Sequence, residues 1–161
     1  VGKRLEQILK SIGMKVSLVT RKKGDNSYSI NDLNYAVINK DFIINLLPLN
    51  RDTNRIFSSE TFSNMKKSAI FINIGRGETV DQDALIRTLR NGAIKSAGLD
   101  VFENEPLDQE SELMSLENVL ITPHVAGLTN KYWDKQWELL SHNLICYKSQ
   151  DFKSMKNLVD L

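Results

Sequence analysis

The 161-residue chain predicts an α/β fold, a doubly wound parallel sheet with helices on both faces. Apolar runs at 41–47, 69–74 and 97–102 are nearly continuous, as in strands buried on both faces of a parallel sheet. Segments with helical periodicity separate these runs, and such alternation of strand and helix indicates βαβ units. The length suits one domain with one hydrophobic core.

The first residues predict an amphipathic helix that ends at Gly13. A strand over 15–20 and a polar loop over 21–29 follow this helix. Because the chain opens with a helix and then a strand, we expect another strand before residue 1, so that the domain is N-terminally truncated. A sheet without that strand would expose a central edge.

The remaining elements are predicted in chain order: a weak helix over 30–37, a strand over 41–47, a short capped helix over 58–65, a strand over 69–74, a helix from Asp81 to Gly92, strands over 97–102 and 118–121, and a long amphipathic helix over 133–147. Asp81 is a typical N-cap and Gly92 a typical C-terminal stop. On the last helix, Trp133 and Trp137 belong either to a core or to an interface.

Composition limits the classes of function. The formal net charge is +1, so no global basic field favours nucleic acid. No apolar run reaches the roughly 18 residues of a membrane span, and the first residues do not resemble a signal peptide. Cys146 is the only cysteine, which excludes an internal disulfide and a cysteine-based metal site and fits a cytoplasmic location.

The sequence FINIGRGETVD, residues 71–81, carries a local functional signal. An apolar strand leads into a Gly-Arg-Gly turn that presents Arg76, and a helix begins directly afterwards. Ligands of open α/β sheets bind beyond the carboxyl ends of the strands. Arg76 is therefore placed to meet an anionic ligand, although an arginine between glycines can also be a solvated turn residue.

Four stretches occur in a fixed order: LLPLNRDT (46–53), FINIGRGETVD (71–81), GLDVFENEP (98–106) and NVLITPHVAGLT (118–129). Together they resemble the cofactor-binding domain of the D-isomer-specific 2-hydroxyacid dehydrogenases. The resemblance implies a Rossmann-like nucleotide-binding domain at 1–130, incomplete at its start. It also implies that the C-terminal helix and tail at 131–161 return towards a substrate domain, and that the protein reduces a 2-oxo acid to a D-2-hydroxy acid with a nicotinamide cofactor.

Three residues receive catalytic roles from this resemblance. Arg76 binds the substrate carboxylate and carbonyl, His124 donates the proton, and Glu105 orients this histidine and favours its charged form. Glu103 is the competing candidate for the carboxylate that orients His124. In the family pattern this carboxylate directly precedes a proline, which selects Glu105. His142 lies in no motif and is interpreted as structural.

The resemblance also assigns residues to the cofactor site. Only the end of a glycine-rich phosphate turn is present, at Gly2. Asp100 resembles an aspartate near the nicotinamide, although it could also be a cap. The other expected cofactor-binding residues are Leu47, Pro48, Thr53, Ile74, Gly75, Arg76, His124 and Gly127.

The end of the second strand predicts the type of cofactor. NAD-binding members carry an acidic residue there for the ribose hydroxyls, whereas this chain has Thr20 and Arg21 followed by two lysines. Arg21 with Thr20 can bind a 2′-phosphate, so we expect NADP rather than NAD. The alternative is a solvated basic loop.

The leading hypothesis is therefore an NADPH-dependent reductase of small 2-oxo acids that forms a homodimer. Without a substrate domain, these residues alone should not be an efficient enzyme. A nicotinamide-sensing, dimerising regulatory protein of the same fold is the main alternative. An oxidoreductase for a one-carbon acid such as formate fits less well, because those relatives have glutamine where Glu105 stands.

Overall fold

The structure is a computed structural model that describes residues 1–21, 24 and 27–159. Lys22 and Lys23, which belong to the predicted basic loop, lie outside the described residues. The chain forms two compact units, Val1–Ala126 and Gly127–Leu161.

The first unit alternates strands and helices. Its elements are α1 (Gly2–Ser11), β1 (Leu18–Thr20), β2 (Ser27–Ser29), α2 (Leu33–Ala36), β3 (Phe42–Asn45), α3 (Ser59–Ser63), β4 (Ile70–Asn73), α4 (Gln82–Arg90), β5 (Ser96–Leu99) and β6 (Val119–Ile121). Short 3-10 turns occupy Ile30–Asp32, Gly77–Thr79 and Glu112–Ser115.

All strand pairs are parallel, as the alternating pattern predicted. In the larger sheet the order is β3-β4-β5-β6, and β1 and β2 form a separate pair. Asn45 pairs with Asn73, Asn73 with Leu99, and Leu99 with Ile121, so the last residues of the four strands are in register. The chain therefore leaves all four strands of the larger sheet at one edge.

The strand β2 was not predicted, because three residues with one aromatic between two serines are too short to show a period. Two predicted caps are confirmed: Asp81 accepts the Ala84 N–H at 2.9 Å, and Gly92 has a φ of +59° at the end of α4. The predicted cap of α3 is wrong, since Ser58 makes no capping hydrogen bond.

A buried aromatic cluster supports the strand that leads to Arg76. Phe71 of β4 is fully buried, and its ring centroid lies 5.0 Å from that of Phe57 and 5.4 Å from that of Phe62. Such pairs contribute about 0.5–1.5 kcal/mol beyond the area they bury. α3 and α4 supply further core residues, among them Ala84, Leu85 and Leu89 of α4. This packing fixes the position of β4, the strand that leads to the Arg76 turn.

The second unit consists of α5 (Tyr132–Lys148) and a 3-10 turn at Phe152–Ser154. His142 Nε2 lies 2.9 Å from the Ser154 carbonyl oxygen, which ties this turn to the helix. Trp133 and Trp137 are 77% and 67% exposed, so neither belongs to a core. No helix in the described part of the chain is long and apolar enough to cross a membrane.

Candidate active site

The predicted site residues of the first unit cluster at strand ends. Thr20 ends β1, Leu47 follows β3, Arg76 follows β4, and Asp100 directly follows β5. His124 follows β6. Because the strands are parallel, these positions lie at the carboxyl edge of the sheets, where α/β proteins bind their ligands.

Arg76 sits on a short turn that the neighbouring side chains define. The Asn73 side chain accepts the Gly75 N–H at 3.1 Å, and this bond turns the chain as it leaves β4. Arg76 itself is extended and exposed, and its Nη1 donates to the Gly75 carbonyl at 2.6 Å. The guanidinium keeps further donors for an anionic ligand.

Gly77 brings the Arg76 turn against the segment that follows β5. A Cβ at Gly77 would lie only 1.8 Å from the Phe102 carbonyl oxygen and 1.9 Å from its carbonyl carbon. Only glycine permits this approach of two backbones. Arg76 is thereby held beside the loop that carries Glu105.

Glu105 and His124 form an ion pair when the histidine is protonated. His124 Nδ1 lies 2.7 Å from Glu105 Oε2, and the other carboxylate oxygen accepts the Phe102 N–H at 3.1 Å. Burial opposes the ionisation of Glu105, but the His124 hydrogen bond, the Phe102 N–H and the charges of His124 and Arg76 outweigh it. The pKa of Glu105 therefore lies below its ordinary value, and the side chain is a carboxylate at neutral pH.

Glu103 has different partners. Its Oε1 accepts a hydrogen bond from Arg55 Nη2 at 2.9 Å and one from the Gln82 N–H at 3.2 Å, while the Gln82 side chain accepts the Glu103 N–H at 3.3 Å. Glu103 thus joins the loop before α3 to the start of α4. The geometry places Glu105 and not Glu103 against His124.

Asp100 holds the turn that presents His124. Its carboxylate is buried and accepts the Thr122 hydroxyl at 2.5 Å and the N–H groups of Val125 and Ala126, each at 2.9 Å. Its carbonyl accepts the His124 N–H at 2.8 Å, and His124 has a φ of +54°. Burial opposes the ionisation of Asp100, yet these donors and the His124 charge keep its pKa below the ordinary value.

The expected cofactor-binding residues fall around the same edge. α1 begins at Gly2, where an added Cβ would lie 3.8 Å from Leu46 Cδ1, so this helix starts beside the end of β3. A Cβ at Gly75 would lie 2.8 Å from the Leu47 carbonyl oxygen, so the loops after β3 and β4 adjoin. Ile74 is partly exposed between them.

The surroundings of Thr53, Gly127, Arg21 and Thr20 complete the set of expected residues. The Thr53 hydroxyl is buried and donates to the Pro48 carbonyl at 2.7 Å while it accepts the Asn50 N–H at 2.8 Å, so it closes its own loop. Gly127 is the first residue of the second unit. Arg21 is exposed directly after β1, and the Thr20 hydroxyl lies 3.2 Å from that of Ser27.

Sequence reasoning missed the buried polar residues Asn45, Asn73 and Thr79. The available signal was that β3 and β4, with the sequences FIIN and IFIN, both end in asparagine. Within the described residues, no group of three or more histidine, cysteine or acidic side chains could hold a metal ion.

The chain is similar to known proteins in sequence and in fold. The family model for the NAD-binding domain of D-isomer-specific 2-hydroxyacid dehydrogenases matches residues 1–126. Glyoxylate/hydroxypyruvate reductase B of Klebsiella pneumoniae is 49% identical over 100 residues, which are 62% of this chain and 31% of that protein. The chain thus matches about a third of the length of this relative.

Solved structures show the same fold. An NADPH-dependent glyoxylate/hydroxypyruvate reductase from Sinorhizobium meliloti, in complex with NADP and malonate, superposes with a TM-score of 0.80 at 31% identity, over 92% of this chain and 47% of that one. A probable 2-hydroxyacid dehydrogenase from Rhizobium etli, in complex with NADP, HEPES and tartaric acid, gives 0.79 at 28% identity, over 99% and 52%. By the family model, which covers most of its length, this chain belongs to the D-isomer-specific 2-hydroxyacid dehydrogenase family and carries its NAD-binding domain.

Proposed function

We propose that the protein carrying this chain reduces a small 2-oxo acid, such as glyoxylate or hydroxypyruvate, to a D-2-hydroxy acid. The observation that carries the proposal is the 2.7 Å contact of His124 Nδ1 with Glu105, in a loop held beside Arg76. A carboxylate-paired histidine beside an arginine combines a proton donor with an anion-binding group. Two of the relatives named above, from Klebsiella pneumoniae and Sinorhizobium meliloti, are glyoxylate/hydroxypyruvate reductases by name.

Each side chain has one task in this reaction. Arg76 binds the substrate carboxylate through the paired donors of its guanidinium. Because Nδ1 of His124 is engaged with Glu105, Nε2 is the nitrogen that delivers the proton to the substrate oxygen. The Glu105 carboxylate stabilises the imidazolium before transfer. The nicotinamide, when bound, supplies the hydride.

The chain's residues fit a dinucleotide. α1 begins at Gly2, has no side-chain cap and carries no acidic residue in its first turn, so its free N–H groups suit a pyrophosphate. The adjoining loops after β3 and β4, at Leu47, Pro48, Ile74 and Gly75, would line the groove next to it. Asp100 and His124 would lie at its nicotinamide end.

We further propose that the cofactor is NADP rather than NAD. Residues 20–24 contain no carboxylate, and the exposed Arg21 directly after β1 can pair with a 2′-phosphate. Several structural neighbours were solved with NADP. Titration of the full-length protein with NADPH and with NADH tests this proposal, and equal or tighter binding of NADH would contradict it.

The proposed assembly is a homodimer that pairs through the cofactor domains, as the family resemblance implies. Sedimentation velocity of the full-length protein, with and without NADPH, measures this directly. A monomer at all concentrations used would contradict the proposed homodimer but would leave the proposed reaction unaffected.

The reaction is tested with full-length protein, NADPH and a panel of 2-oxo acids. We expect His124→Ala to lower kcat by about 10²–10⁴-fold, the usual contribution of a general acid. His142→Ala is the matched control, because His142 bonds the Ser154 carbonyl in the second unit. If NADPH binds but no oxo acid is consumed, the enzyme proposal fails and a nicotinamide-sensing regulator is favoured.

A further inference from the structure

A buried polar network lies directly beneath the Arg76 turn. Its members are Asn45 at the end of β3, Asn73 at the end of β4, and Thr79 in the 3-10 turn that follows Arg76. Each of the three side chains is at most 1% exposed. None of them was expected from the sequence to have any role in the site.

The hydrogen bonds of this network have fixed directions. The single hydroxyl proton of Thr79 is donated to the Arg76 carbonyl at 2.6 Å. The Thr79 oxygen can therefore only accept from Asn45 Nδ2, which lies 2.7 Å away. The second proton of this amide goes to Asn73 Oδ1 at 2.9 Å.

The two asparagines also hold the backbone at both strand ends. Asn45 Oδ1 accepts the Leu47 N–H at 3.0 Å, and Asn73 Oδ1 accepts the Gly75 N–H at 3.1 Å. Asn73 Nδ2 adds a longer bond of 3.3 Å to the Arg76 carbonyl. Rotation of the Asn45 amide by half a turn would set its oxygen against the oxygen of Asn73, so the network permits one arrangement only.

We propose that Thr79, through Asn45 and Asn73, is a positioning residue for Arg76. The inference rests on the function proposed above, in which Arg76 binds the substrate carboxylate. Arg76 is on an exposed turn, but its carbonyl is fixed by two buried side-chain donors. Hydrogen bonds in a buried, low-dielectric environment are costly to leave unmade, so the network keeps the turn in one position.

A small displacement of this turn would matter for the reaction. Substrate-positioning groups act through orientation, and a displacement of about 1 Å can cost roughly 10²-fold in rate. Loss of the Thr79 hydroxyl should therefore weaken the binding of the oxo acid by Arg76. It should leave the His124–Glu105 pair in place, because neither residue bonds to the network.

The test compares Thr79→Val with Thr79→Ser in the full-length protein. Valine has nearly the same shape as threonine but lacks the hydroxyl, whereas serine keeps it. We expect Thr79→Val to raise KM for the oxo acid about tenfold, with a smaller change in kcat, and Thr79→Ser to stay within about twofold of the parent.

Thr61→Val is the matched control for the loss of a buried hydroxyl. Thr61 is 1% exposed, and its hydroxyl lies 2.7 Å from Asn34 Oδ1 and 3.0 Å from the Ile56 carbonyl, outside the Asn45–Asn73–Thr79 network. We expect a similar fall in Tm for both valine variants but no rise in KM for Thr61→Val. Equal effects of the two variants on KM would overturn the proposal.

A double-mutant cycle separates positioning from general destabilisation. If Thr79 acts through Arg76, Thr79→Val should change KM by less than about twofold in an Arg76→Ala background. The same tenfold rise in both backgrounds would show that the hydroxyl acts by another route.

Amide hydrogen exchange of the full-length protein gives a readout that is independent of turnover. Thr79→Val should speed exchange in the segments 45–47 and 73–80 about tenfold relative to Thr61→Val, because the Leu47 and Gly75 N–H groups donate to the network. If the protein consumes no oxo acid, the proposed function fails, while the exchange still decides whether Thr79 holds the turn. Unchanged exchange would refute the positioning role.

Discussion

Glu103 and Glu105 show how far two neighbouring carboxylates can differ in role. Glu105 contacts His124, whereas Glu103 accepts hydrogen bonds from Arg55 and the Gln82 backbone. The two side chains are separated in the sequence only by Asn104. The two side chains have different partners because the fold places different loops beside each of them.

This difference predicts unequal effects of the same substitution. Glu105→Gln should lower kcat of the full-length protein by about ten- to a hundredfold, since an amide no longer stabilises the imidazolium, although the acid itself remains. Glu103→Gln should change kcat by less than about threefold, because Glu103 contacts Arg55 and the Gln82 backbone and not His124. Steady-state kinetics at neutral pH measures both, and equal losses would contradict the assignment of roles.

Asp100 predicts a pH dependence of stability. Its pKa is depressed in the folded protein, so its contribution to stability is complete above the unfolded value of about 3.9 and is lost as the pH falls through the folded pKa. Asp100→Asn should therefore lower Tm at pH 7, because an amide cannot accept all three donors.

The difference in Tm between the parent and Asp100→Asn should shrink as the pH is lowered below about 4. Thermal unfolding followed by circular dichroism from neutral to acidic pH measures it. A constant difference across this range would show that the Asp100 carboxylate does not stabilise the folded state as an anion.

At the scale of elements, the turn between β4 and α4 depends on close packing against the segment after β5. Gly77 lies in this turn, and its backbone approaches that of Phe102 so closely that a Cβ would overlap a carbonyl group. The same approach brings Arg76 beside the loop of Glu105. The position of one element end therefore sets the geometry of the site.

Gly77→Ala should consequently disturb both stability and substrate binding. The backbone atoms of Phe102 and Glu103 would have to move, and overpacking of this kind costs about 1–3 kcal/mol of unfolding free energy. Gly98→Ala is the control, since its Cβ would make an ordinary 3.9 Å contact with Ile72. Urea unfolding measures the two changes, and equal stability of both variants would contradict the close approach.

At the scale of the whole molecule, the strands in the described part of the chain leave open edges in both sheets. Among the described strands, β3 is hydrogen-bonded only to β4, and β1 only to β2. Phe42 on β3 is 46% exposed. Open edges with apolar side chains template association with other chains.

Residues 1–161 should therefore self-associate in solution. Light scattering across the micromolar range measures this. Phe42→Lys should reduce the association, because a charge on an edge strand disfavours pairing. If residues 1–161 remain monomeric across the micromolar range, these edges are protected from pairing.

Much of the candidate site could be predicted from the sequence because its residues lie in short motifs near strand ends. The Gly-Arg-Gly turn directly follows an apolar run, the Pro-His pair follows one after a single threonine, and the Glu-Pro pair follows one after two polar residues. The hydrophobic periodicity of a segment, together with the glycine and proline residues that interrupt it, locates strand ends without any knowledge of tertiary contacts. The brief β2 strand escaped because it has too few residues to show a period.

Sequence patterns did not give the partners of these residues, and the family resemblance implied only the pairing of Glu105 with His124. The contacts of Glu105 with His124, of Glu103 with Arg55 and of Thr79 with Asn45 join positions that are 19, 48 and 34 residues apart. Sequence patterns report the local preference of the backbone, whereas these contacts arise only when loops after different strands meet at one edge.

The amino-acid sequence by itself thus determined the parallel α/β class, the family and the three candidate catalytic residues. Only the tertiary structure decided that Glu103 bonds to Arg55, and that Asp100 and Thr79 hold the turns of His124 and Arg76. The physical reason is that a buried polar side chain must be satisfied by whichever donors and acceptors the fold brings to it, and one-dimensional patterns do not contain that information.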